Sequence, residues 1–167
     1  MPRVRASGSR RTDAESRPGN AANSRASVES RDLSILLNMR IEHIALWTEN
    51  LERFKQFYVT YLGAIAGDDY VNPTKGFKSC FLRFAEGARI EVMTTTTLSP
   101  VALEPGVQRM GLTHLAIAVG SELRVDELTS QLRADGFSIL DGPRRTGDGY
   151  YESVVLDPDG NRIEITA

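Results

Sequence analysis

The sequence predicts an α+β fold built from two βαβββ modules, and three observations carry that expectation. Ile41-Glu42-His43-Ile44-Ala45-Leu46 aligns with Leu112-Thr113-His114-Leu115-Ala116-Ile117. Gly87-Ala88-Arg89-Ile90-Glu91-Val92 aligns with Gly160-Asn161-Arg162-Ile163-Glu164-Ile165. The His-to-Glu separation is 48 residues in the first copy and 50 in the second. Both matches therefore belong to one repeated unit of about 55 to 60 residues, and the chain is a duplication.

Each unit opens on a strand of aliphatic and β-branched residues, Arg40 to Trp47 and Thr113 to Val119. An amphipathic helix follows. Leu51, Phe54, Tyr58, Tyr61 and Leu62 keep helical spacing in the first unit, as do Val125, Leu128 and Leu132 in the second. Thr48 or Asn50, and Ser121, are the expected N-caps, while Gly63 and Gly136 stand where glycine stops helices. Three strands complete each unit: Ala64 to Val71, Phe77 to Phe84 and Ala88 to Thr94, then Phe137 to Leu140, Tyr150 to Leu156 and Arg162 to Thr166. Ala85-Glu86-Gly87 and Asp157-Pro158-Asp159-Gly160 have the chemistry of hairpin turns.

Composition divides the chain before these units begin. Residues 1–38 hold seven Arg and seven Ser against four acidic residues, with no aromatic residue. Such a segment buries too little apolar surface to offset its ordering entropy and is expected to be a disordered tail. The first module then spans 39–97, a linker with Pro100 and Pro105 spans 98–109, and the second module spans 110–167. The net charge of -2 and pI near 5.7 argue against nucleic acid, and no apolar run approaches a membrane span. The single cysteine, Cys80, cannot form an internal disulfide, which fits a cytoplasmic protein whose metals, if any, are held by N and O ligands. Cys80 lies in an apolar run and reads as buried filler.

The only two histidines occupy equivalent first-strand positions, and a glutamate occupies the equivalent last-strand position of each unit. Strand side chains alternate, so His43 shares a face with Ala45 and Trp47, and Glu91 shares a face with Arg89 and Met93. With the helix covering the opposite face, two such units facing each other gather His43, Glu91, His114 and Glu164. Two imidazoles and two carboxylates suit a divalent ion of intermediate hardness such as zinc, nickel, cobalt, manganese or iron. Asp157 and Asp159 read as turn residues, and Arg144-Arg145 as a solvated pair or a site for an anionic substrate.

These residues resemble the glyoxalase/bleomycin resistance/dioxygenase, or vicinal oxygen chelate, superfamily. The resemblance covers residues 40–166 through Phe57-Tyr58 before Leu62-Gly63, Thr113-His114-Leu115-Ala116, and Asp157-Pro158-Asp159-Gly160 leading to Ile163-Glu164. It implies paired βαβββ modules forming a curved half-barrel sheet, and a homodimer whose subunits complete each other. It also implies that His43, Glu91, His114 and Glu164 stand on the four metal-ligand positions of glyoxalase I. The sequence departs from that enzyme where glutathione is contacted, with Trp47 in place of an Arg and Thr95 in place of an Asn. The implied activity is a metal-dependent, glyoxalase-I-like lyase or isomerase acting on a small molecule through adjacent oxygens. Glu164 and Glu91 would be its base and acid, and Trp47 and Met93 an apolar wall of the substrate pocket. The alternatives are an epimerase, an iron dioxygenase, or a non-catalytic small-molecule binding or resistance protein. A second Glu would occupy the place that oxygen needs in a dioxygenase, and retention of all four ligands favours an enzyme over a sequestering protein.

Overall fold

The computed structural model describes residues 39–99 and 110–167, so the expected tail and most of the expected linker lie outside the described residues. Residues 40–167 form one compact unit. In the first repeat β1 (His43–Trp47) leads into α1 (Leu51–Leu62), and β2 (Ile65–Ala66), β3 (Tyr70–Asn72), β4 (Phe77–Arg83) and β5 (Arg89–Thr95) follow. In the second, β6 (Leu115–Ala118) leads into α2 (Glu122–Ala134), then β7 (Ile139–Arg145), β8 (Tyr151–Leu156) and β9 (Arg162–Thr166).

The two sheets have matching order, β1-β5-β4-β2 and β6-β9-β8-β7, with β3 also paired to β4. In each, the first strand runs parallel to the last, and the remaining pairs are antiparallel. The fold is α+β, a duplicated βαβββ. Among the described residues no helix is long and apolar enough to cross a membrane.

Two differences from the expected elements have physical causes. The predicted strand over Ala64 to Val71 is broken into β2 and β3 by Gly67-Asp68-Asp69, which favour turn over ladder. The predicted strand ending at Leu140 instead continues to Arg145 across Gly142-Pro143. It tolerates the proline because β7 is an edge strand with register shifts at that place.

Asn50, rather than Thr48, caps α1 by accepting from the Arg53 N–H, and Ser121 caps α2 by accepting from that of Arg124. Gly63 ends α1 in the left-handed region at φ 68°, whereas α2 caps at Asp135 with Gly136 just beyond.

α1 packs on β2, β4 and β5, and α2 on β7, β8 and β9. The buried stripe of α1 is Leu51, Phe54, Phe57 and Tyr58, against Cys80, Leu82, Ile90 and Val92. That of α2 is Val125, Leu128 and Leu132, against Val155, Ile163 and Ile165. The Cys80 thiol contacts the Gly67 carbonyl at 3.2 Å, and burial pushes its pKa up, in keeping with a packing role.

α1 also reaches the second repeat. Phe57 and Tyr61 flank Phe137 with ring centroids at 4.9 and 5.2 Å, and the Tyr58 hydroxyl donates to Asp157 at 3.1 Å. Asp157, itself buried, also accepts from the backbone N–H of Asp159 and Asn161 and from the Asn161 side chain. Arg53 reaches Asp159 at 2.6 Å. The Asp157–Gly160 turn is thus structural, as the sequence implies.

Candidate metal centre

The helices cover one face of each sheet, so the opposite faces carry the chemistry. On the first, His43, Ala45 and Trp47 project from β1, and register places Ala45 beside Glu91 and Trp47 beside Met93. The His43 Nε2 lies 3.8 Å from Glu91 Oε2. On the second, His114 precedes β6, Ala116 pairs with Glu164, and the His114 Nε2 lies 3.5 Å from Glu164 Oε2. The imidazoles are 40% and 42% exposed and the carboxylates 20% and 18%, so the repeat places both pairs at the same depth.

Each pair fits part of a metal shell. Two donors bound to one ion at about 2.0 to 2.2 Å must lie within roughly 4 Å of each other, as these do. Within one chain, however, the structure forms two pairs and not a group of four. Among the described residues no cluster of three or more His, Cys, Asp or Glu side chains could hold a metal ion.

Two further carboxylates adjoin the pairs. Glu42 accepts from His43 Nδ1 and from Arg89, and the His43 hydrogen bond, with Arg89 adding, holds its carboxyl below the usual range. Glu152 lies on β8 on the same face as Glu164, opposite Thr166, and is only 7% exposed. Burial, reinforced by the adjacent Glu164, pushes its carboxyl up, and Arg144 approaches at 3.7 Å. Alternation in Tyr151–Leu156 and the hairpin register would have located Glu152, since Leu156 pairs with Arg162 and Val154 with Glu164. Nothing in strand periodicity points to Glu42.

Arg144 and Arg145 are not a free loop pair. Arg144 is held by Asp141 at 2.6 Å, and Arg145 pairs with Glu122 and lies 5.7 Å from the Tyr151 ring centre. Trp47 is half exposed and meets Phe77 edge to face at 6.1 Å, with Tyr70 beyond Phe77 at 6.2 Å. Phe77, not singled out in the sequence, thus extends the apolar surface of Trp47 and Met93.

A cleft of about 550 Å³ beside Asn50, Val71, Phe77 and Thr95, and one of about 670 Å³ between α1 and the Asp157–Gly160 turn, lie apart from both His–Glu pairs.

The profile of the Glyoxalase/Bleomycin resistance protein/Dioxygenase superfamily matches residues 40–165. The chain belongs to this superfamily. Its relatives include the uncharacterized protein YqjT of Bacillus subtilis (strain 168), 30% identical over an alignment of 132 residues, with 76% of this chain and 98% of that protein covered. Among solved structures, the superfamily domain from Frankia sp. EAN1pec superposes with a TM-score of 0.64 at 16% identity, covering 77% of this chain and 96% of its own. The trypanothione-dependent glyoxalase I of Leishmania major superposes with a TM-score of 0.60 at 23% identity, covering 77% and 86%. At these identities the structural matches establish the superfamily fold.

Proposed function

We propose that this superfamily member is a metal-dependent lyase or isomerase of the glyoxalase I kind, moving a proton on a small molecule that presents adjacent oxygens. The duplicated His–Glu pair on the open faces of the two sheets carries this reading. The glyoxalase I structures among its neighbours support it at the level of fold.

His43, Glu91, His114 and Glu164 would hold the ion. Because one chain keeps the two pairs apart, a homodimer supplies the set, each site taking one pair from each copy. A bound divalent ion would provide Lewis-acid polarisation of the substrate oxygens. The two histidines act as nitrogen ligands and take no part in the proton transfer. One glutamate takes the proton from the carbon next to the carbonyl, and it or its counterpart returns a proton to the neighbouring carbon, so the reaction is redox-neutral. Trp47, Met93 and Phe77 would form an apolar wall of the substrate site that favours a flat substituent.

Trp47 stands where a cation would meet a glutathione carboxylate. A charge-assisted contact worth about 1.5 to 3 kcal/mol is absent there, a loss of roughly 10- to 150-fold in binding. Steady-state turnover of the methylglyoxal–glutathione adduct by metal-replete protein is therefore expected at a kcat/KM at least about 10- to 150-fold below the diffusional ceiling, with a substrate screen finding a less polar dicarbonyl or hydroxycarbonyl preferred. A value within tenfold of the diffusional ceiling of about 10⁸ M⁻¹s⁻¹ would make the protein an ordinary glutathione-dependent glyoxalase I. Absence of bound metal from protein purified without chelator would overturn the reading as a whole.

A further inference from the structure

His43 sits in a closed ring of contacts. Its Nδ1 bonds to one oxygen of Glu42, and the other oxygen accepts from the Arg89 guanidinium. That guanidinium lies 4.1 Å from the centre of the Phe81 ring, and Phe81 meets the imidazole edge to face at 5.5 Å. The Arg89 backbone N–H donates to the Glu42 carbonyl at 3.1 Å, so Glu42 is held at both main chain and side chain. An ionised carboxylate can only accept, so in the neutral imidazole the proton of this hydrogen bond belongs to Nδ1. Nε2 is then the bare nitrogen, and it is the one turned to Glu91. The second repeat is built differently. Thr113 stands in the position of Glu42, and Val154 stands beside Glu164 as Phe81 stands beside Glu91.

We propose that Glu42 is a positioning residue for His43, fixing the tautomer and ring orientation that present Nε2 to the ligand side of the first sheet. The role rests on the metal-site reading above, but the tautomer itself is measurable without metal. The other ring nitrogen's hydrogen bond generally decides which nitrogen of a ligating histidine is free, and losing such a partner costs metal affinity about 10- to 100-fold.

Long-range ¹H–¹⁵N NMR of metal-free protein at about pH 8.5, above the usual histidine range, reads the two imidazoles separately, with His43→Gln providing the assignment. Wild-type His43 is expected in the Nδ1–H form. Glu42→Ala should move it toward Nε2–H while leaving His114 unchanged, and Glu42→Gln should restore it because an amide oxygen still accepts. In parallel, zinc affinity measured by chelator competition should fall about 10- to 100-fold in Glu42→Ala and recover in Glu42→Gln. A His43 signal unchanged in Glu42→Ala overturns the proposal, and so does a shifted tautomer with unchanged zinc affinity. A wild type that binds no zinc overturns the metal reading and the positioning role with it, and the NMR pattern distinguishes that failure from loss of the Glu42–His43 bond.

Discussion

A heterodimer of His43→Ala and His114→Ala chains, isolated with two different tags, is expected to bind about half the metal of the wild-type dimer, while each homodimeric variant binds almost none. The argument is geometric. Nε2 to Oε2 distances of 3.8 and 3.5 Å make each His–Glu pair a half-shell, and one chain keeps the halves apart. In a two-fold dimer each site would draw His43 and Glu91 from one copy and His114 and Glu164 from the other. The heterodimer then concentrates both lesions in one site and leaves the other whole. Elemental analysis reads the result directly. If the heterodimer stays metal-free although the wild type binds metal, the sites are not shared between copies. Wild-type metal content in both single variants would remove the two histidines from the site.

The second large effect is on stability. Asp157→Ala removes the acceptor of the Tyr58 hydroxyl, two backbone N–H groups and the Asn161 side chain, all at a buried carboxylate. Each stranded donor costs about 1 to 3 kcal/mol before water relieves part of it, so a loss of roughly 3 to 5 kcal/mol is expected in urea unfolding. Glu127→Ala, which breaks the exposed pair with Arg124, should change stability by less than about 0.5 kcal/mol. A loss below about 1 kcal/mol for Asp157→Ala would show that the turn does not join α1 to the second repeat.

The same residue sets a pH dependence. Burial outweighs the hydrogen bonds it accepts and raises the Asp157 carboxyl above its usual range. The folded state therefore retains a proton that the unfolded chain has released. Stability falls as pH rises from the ordinary aspartate value through the raised one, and Asp157→Asn should flatten that slope.

The parts of the fold that were legible in the sequence depend on local pattern. The duplicated first and last strands, most of each helix stripe and the cap at Ser121 follow from spacing, as does the sharing of a face by His43 and Trp47, whereas spacing alone neither chooses between Thr48 and Asn50 for the α1 cap nor places Phe57 in its buried stripe. Pairing between elements is another matter. Alternation tells which way His114 and Glu164 point but not what their sheet faces, so separation of the two pairs could not be read from the repeat. Glu152 was hidden because hairpin register, not composition, brings it beside Glu164. Glu42 was hidden because it lies just before β1 begins, where strict alternation does not apply and its carboxylate can fold back onto the neighbouring imidazole.

α1 belongs by sequence to the first repeat, yet Phe57, Tyr58 and Tyr61 close the second. In linear repeat arrays each unit meets only its neighbour through an interface, and units can melt one by one. Here the hydrophobic cluster runs without a break from Leu51 to Ile165. Opening α1 would expose Phe137 and the Asp157 turn together with the first sheet, so partial unfolding of one repeat has no protected second repeat to stop at. The duplication written in the sequence is therefore a single cooperative unit in its thermodynamics, and chain rearrangements that detach α1 from either sheet would dismantle both.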